Sequence, residues 1–277
     1  MGPSGGGFAF SGNQRFETTG DLSGSGTITF INLGGAGGRR LEFNSTNNTF
    51  TGGFVITRHD VRIEVNSLGG GNDIRFTNNG TFRYGSGAVA DVTLGTIRLS
   101  GSGTIDNNSS HAMTINGDII ADGSGNKTLT LDGGSGPVNI FAGTIVDETD
   151  GGEGTVALTK SGSSTWVLSG INSYSGVTTV EAGTLGLNGD YSLPHEGTLN
   201  RTGGTIHIEG RARVADLQAG GVSLPAGIYG STDSTAQFNG ADLTRVDEST
   251  VANFFTGPGV LYVDTPFPPS STLIVIL

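Results

Sequence analysis

Few residues in this 277-residue chain have the types and spacing that chemistry needs. The four histidines, His59, His111, His195 and His207, fall in different segments. No two stand at the i, i+4 spacing with which one helix face holds a metal. There is no cysteine, so thiolate metal sites, disulfides and a Cys nucleophile are excluded. Gly2-Pro3-Ser4-Gly5-Gly6 fits a Gly-x-Ser-x-Gly nucleophile pattern, but it sits in a glycine tract without the strand-to-helix context the motif requires. Asp147-Glu148-Thr149-Asp150-Gly151-Gly152-Glu153 puts four carboxylates in one turn. Hard oxygen ligands in such a loop could hold calcium; a solvated acidic corner is the competing reading. Gly69-Gly70-Gly71-Asn72-Asp73-Ile74 is similar to a calcium-binding nonapeptide, but its apolar residue comes one place early and there is one copy. Asp216, Asp233, Asp242, Asp247 and Glu248 lack the mutual periodicity that would pair two carboxylates for glycoside cleavage. The single Trp166 is not part of an exposed aromatic platform. No catalytic, cofactor-binding or metal-ligating residue is expected, and no cofactor.

The elements that carry these residues are short strands. Glycine accounts for 50 residues and proline for 8. Frequent glycine opposes helices, and the absence of a Gly-X-Y period excludes collagen. Gly-Thr-apolar occurs nine times, starting at Gly26, Gly80, Gly95, Gly103, Gly143, Gly154, Gly183, Gly197 and Gly204. Each opens a run that alternates apolar and polar, as pleated strands do, with glycine expected to free the backbone at the preceding turn. The segment 211–219 is the best helix candidate and reads equally well as a strand. The net charge of −11, with two lysines against twelve arginines, makes nucleic acid an unsuitable partner.

The chain also repeats itself. Asn172-Ser173-Tyr174-Ser175-Gly176-Val177-Thr178-Thr179-Val180 aligns without gaps to Asn48-Thr49-Phe50-Thr51-Gly52-Gly53-Phe54-Val55-Ile56. Such units cannot bury an apolar face alone and must stack on neighbours. A stacked solenoid and a set of hairpin-joined sandwiches both accommodate the pattern. Asn-Gly at Asn79, Asn116, Asn188 and Asn239 suits hairpins; repeated units with small buried side chains suit stacked rungs better.

Leu158-Thr159-Lys160-Ser161-Gly162, Trp166-Val167-Leu168-Ser169-Gly170-Ile171-Asn172-Ser173-Tyr174-Ser175-Gly176 and Thr179-Val180-Glu181-Ala182-Gly183-Thr184-Leu185 together resemble the autotransporter-associated β-strand repeat, or passenger-associated transport repeat. Val177 departs from the family's second glycine, which the copy at Gly53 keeps. Leu224-Pro225-Ala226-Gly227-Ile228-Tyr229-Gly230 and Phe255-Thr256-Gly257-Pro258-Gly259-Val260-Leu261-Tyr262-Val263 resemble the closing segments of such proteins. The resemblance covers 155–264 well and 20–150 loosely. It implies an all-β, right-handed parallel β-helix (β-solenoid) with a C-terminal β cap: repeat region 1–213, closing segment 214–264, then a Pro-rich linker and truncated apolar tail at 265–277. Leu273-Ile274-Val275-Ile276-Leu277 after Pro266, Pro268 and Pro269 looks like the start of a membrane anchor. The implied function is that of a non-catalytic, secreted or surface-exposed stalk or adhesin-type passenger of a Gram-negative-type bacterium. The implied partners are cell-surface glycans or other surface proteins, with membrane contact only through such an anchor. The alternative is a polysaccharide-active β-helix enzyme, a lyase or glycoside hydrolase.

Overall fold

The computed structural model describes residues 6–10, 15–32, 39–57, 61–149, 151–231 and 254–264. The tail at 265–277 and the acids Asp233, Asp242, Asp247 and Glu248 lie outside the described residues. Among the described residues every regular element is a strand. The chain passes back and forth between two long sheets, one of thirteen strands and one of eleven; Met113–Ile115 with Ile119–Ala121, and Val138–Phe141 with Ile145–Val146, are consecutive strands within the first. Pairing along both is parallel from the N-terminal strands Gly6–Phe10 and Arg15–Thr18 onward. A chain that alternates sheets and always pairs in parallel winds as a β-solenoid, and the sandwich alternative is set aside. Toward the C-terminus the pattern changes. Asp216–Ala219 pairs antiparallel with Val222–Ser223, and Val260–Val263 pairs parallel with Arg211–Val214 and antiparallel with Gly227–Gly230. The 211–219 segment is thus two strands.

Alternation decides what is inside. In the first sheet Ile28, Phe54, Ile74, Ile97, Ile119 and Ile145 occupy one register column, and all are buried. In the second sheet Leu41, Ile63, Phe82, Ile105 and Leu131 do the same. Burying each such side chain contributes about 1.5–3 kcal/mol, and only a neighbouring rung can cover it.

The two copies of the repeated unit turn opposite corners of the coil, the first leading from the second sheet to the first and the other from the first to the second, yet use the same device. Asn48 and Asn172 are both buried at corners. Asn48 Oδ1 accepts from the Leu22 amide (2.7 Å) while its Nδ2 donates to the Ser45 carbonyl (2.9 Å). Asn172 Oδ1 accepts from the Ile145 amide (2.8 Å) and its Nδ2 donates to the Ser192 carbonyl (2.8 Å), so one side chain ties three levels of the coil. The aromatics that follow, Phe50 and Tyr174, are buried.

The Gly-Thr-apolar glycines do a different job from the expected one. Of the nine, positive φ occurs at Gly183 and Gly204 alone. At Gly103 a Cβ would overlap the Phe76 ring, and at Gly143 it would overlap the Gly117 carbonyl. Close approach of stacked rungs, not turn freedom, demands glycine there. The Gly95 copy opens no strand: it lies inside Val92–Leu99, opposite the register shift between Asn72 and Ile74.

Candidate functional site

Several acidic residues, among them Asp73, Asp147 and Glu148 of the two stretches that suggested calcium, hold one coil to the next. Asp73 Oδ1 accepts from the Thr96 amide (2.7 Å), Asp91 Oδ1 from the Ala112 amide (2.8 Å) and Asp118 Oδ1 from the Thr144 amide (2.9 Å). Asp147 uses both oxygens: Oδ1 accepts from Val156 N (2.7 Å) and Oδ2 from Ser175 N (3.0 Å). Glu148 accepts from the Gly123 amide. Each amide is one the sheet ladder does not pair, so the carboxylate supplies the missing acceptor. Asp150 of the same turn lies outside the described residues. In the 69–74 stretch Asn72 points inward, donating to the Phe50 (2.9 Å) and Gly52 (2.8 Å) carbonyls. Among the described residues no three His, Asp or Glu side chains gather as a metal site.

The histidines are scattered. His111 lies 3.7 Å from Asp91, and His207 bridges Thr256 (2.9 Å) and Glu209 (2.8 Å). His195 stacks on Tyr191 with centroids 4.2 Å apart. His59 lies outside the described residues. Asp216 accepts from Gln218 (2.6 Å) and Ser223 (3.1 Å). Trp166 is fully buried, and its indole N–H donates to the Asp132 carbonyl (3.1 Å).

Sequence reasoning missed the lysines. Both Lys127 and Lys160 are buried. Lys127 Nζ donates to the Gly123, Ser124 and Gly125 carbonyls at 2.7, 2.7 and 2.9 Å. Lys160 Nζ donates to the carbonyls of Ser161, Gly162 (3.1 Å) and Ala182 (3.2 Å). Burial pushes the Lys160 ammonium down to about 8, against a weaker upward pull from Asp132. The signal was there: Val156, Leu158 and Lys160 share one period-two face, which puts Lys160 inside.

The outer face of the second sheet is regular. Thr81, Thr104, Thr130, Thr159 and Thr179 share one register column on five successive strands. A depression of about 350 Å³ opens there, lined by Asn79, Ser102, Gly103, Thr104, Thr128 and Thr130. Two residues along each strand, Arg83 Nε donates to Asp106 Oδ2 (2.6 Å), and Asp132 follows in register. Burial raises the Asp106 carboxyl, with Arg83 opposing.

Residues 158–187 match the family model of the passenger-associated transport repeat. The chain carries that repeat. In the structure the matched stretch is just over one coil: Leu158 pairs with Thr178 in one sheet, and Trp166 pairs with Leu185 in the other. The repeat is therefore the unit that closes one turn and begins the next. The chain is also similar to the Adhesin BmaC autotransporter of Brucella suis biovar 1 (strain 1330), with 29% identity over 214 residues. That match takes in 72% of this chain and 6% of the relative's length. No solved structure matches the chain.

Proposed function

We infer that this chain is a non-catalytic β-solenoid segment of a secreted or surface-exposed autotransporter passenger in a Gram-negative bacterium, serving as a stalk with an adhesin-type role. The repeat at 158–187 together with similarity to an autotransporter adhesin carries this reading. The placement of the acids supports it: Asp73, Asp91, Asp118 and Asp147 each use a carboxylate oxygen to accept from an amide of the next coil. These four carboxylates are thereby placed along the coil as backbone acceptors, spread over successive turns and not paired with one another.

The test is display of the chain on the surface of a non-adherent Gram-negative host, with binding to cultured epithelial cells counted against a host displaying an unrelated passenger. Increased attachment without release of reducing ends from added polysaccharides is expected. Reducing-end release by the purified chain would instead favour the polysaccharide-active reading.

A further inference from the structure

The backbones of the threonine row on the second sheet pair coil to coil, but their hydroxyls take no part in it. Outward threonines commonly bond across strands, yet the hydroxyls of Thr81, Thr104, Thr130, Thr159 and Thr179 have no hydrogen-bond partner among the described residues. Parallel strands lie about 4.8 Å apart, so the five hydroxyls form a straight row roughly 20 Å long. The pairing of Gly103 with Gly80 and with Leu129 sets Asn79, Ser102 and Thr128 in a second row beside it. The depression of about 350 Å³ lies between the two rows. Its floor is backbone at Gly103, a residue whose absent side chain would point inward onto Phe76.

The chemistry of the lining narrows the ligand. None of the six lining residues is charged, on a chain of net charge −11. Thr and Ser hydroxyls donate and accept, and the Asn amide does both. That set matches sugar hydroxyls, which also do both, while the threonine methyls offer apolar contact to sugar C–H groups. On the row's other side Arg83 is paired with Asp106 and Asp132 follows in register, so this flank offers no unpaired cation to hold an anionic chain. We propose that this depression binds a neutral polysaccharide laid along the threonine row. The proposal rests on the adhesin-type reading and gives it a place on the surface and a ligand class.

The test is native affinity electrophoresis of the whole chain through gels containing laminarin, galactomannan or dextran, with polygalacturonate as the acidic control. Retardation by at least one neutral polysaccharide and none by polygalacturonate is expected. The isosteric pair Thr104→Val/Thr130→Val should weaken that binding by about tenfold, as expected for the loss of two modest hydrogen bonds. Thr104→Glu/Thr130→Glu should abolish it. The valine pair keeps β-branched residues on the strands, so its melting temperature should match the wild type and guard against a folding artefact. The proposal is overturned by no retardation in any neutral gel, by equal retardation in polygalacturonate, or by full affinity in the valine pair. Displayed cells separate it from the reading it rests on. If wild type and valine pair attach equally to epithelial cells, the depression is not the adhesive site and the adhesin role stands. If wild type binds polysaccharide but never attaches, the depression stands and the adhesin role falls.

Discussion

Replacing Asn172 by Leu should be among the most costly single changes in the repeat. The side chain is buried, and its amide serves two coils at once: Oδ1 takes the Ile145 N–H at 2.8 Å and Nδ2 gives to the Ser192 carbonyl at 2.8 Å. Leucine fills a similar volume and leaves no space for water to stand in. An unpaired buried N–H or C=O costs about 1–3 kcal/mol, so losing both partners should cost about 2–6 kcal/mol. Trp166 is the chain's single tryptophan, is buried and lies in the same repeat, so its fluorescence during urea unfolding reads the loss directly. Stacked repeats can open locally without unfolding throughout, so amide hydrogen exchange at Ile145 should accompany the titration. The exposed Asn188→Leu is the control and should stay within about 0.5 kcal/mol. A loss under about 1 kcal/mol for Asn172→Leu, with Ile145 still protected, would refute the view that corner asparagines tie the coils.

Alkaline titration should show two opposing effects. Lys160 has a folded value of about 8 against 10.5 unfolded, so the unfolded chain binds the extra proton in between, and stability should rise with pH from about 8 to 10. Tyr84, raised by burial from 10.0 to about 12, and Tyr174, raised further still, ionise first in the unfolded chain, so stability should fall above pH 10. Urea midpoints across pH 7–11 would show the rise and fall, and Lys160→Met should erase the rise alone. Gly143→Ala should destabilise by about 1–3 kcal/mol in thermal or urea melts, because the new methyl meets the Gly117 backbone, which cannot rotate aside. Gly210→Ala, where nothing lies within 4 Å and φ is ordinary, should be neutral or gain up to about 1 kcal/mol. Trp166→Ala should cost about 3–5 kcal/mol by the same measurement, through lost burial and the orphaned Asp132 carbonyl.

Much of the architecture can be read along the chain. Period-two alternation names the inward residues, because a pleated strand offers only two faces and only one can be covered by another rung. The Asn-aromatic-Gly unit at Asn48 and Asn172 predicts stacking for the same reason, although the sequence does not tell that the two copies turn opposite corners of the coil. Even Lys160 announces its burial through its place beside Val156 and Leu158. All of this is local information, set by neighbours one to five residues away.

What needed the tertiary structure is everything that depends on which strand lies on which. Coil length varies: Ile28 pairs with Phe54, Phe54 with Ile74 and Ile74 with Ile97. No fixed offset along the chain therefore tells that Thr81, Thr104, Thr130, Thr159 and Thr179 form one row. Nor does it tell that Asp73 reaches Thr96 while Asp147 reaches Ser175. The Gly-Thr-apolar glycines are visible in the sequence, but their reason is not. Gly103 is glycine because Phe76, a full coil earlier, occupies the space a methyl would need, and that distance exists only once the rungs have stacked. Turn composition and alternation are properties of a single strand; register and close approach are properties of pairs, and the backbone hydrogen bonds that set them form between residues about twenty positions apart.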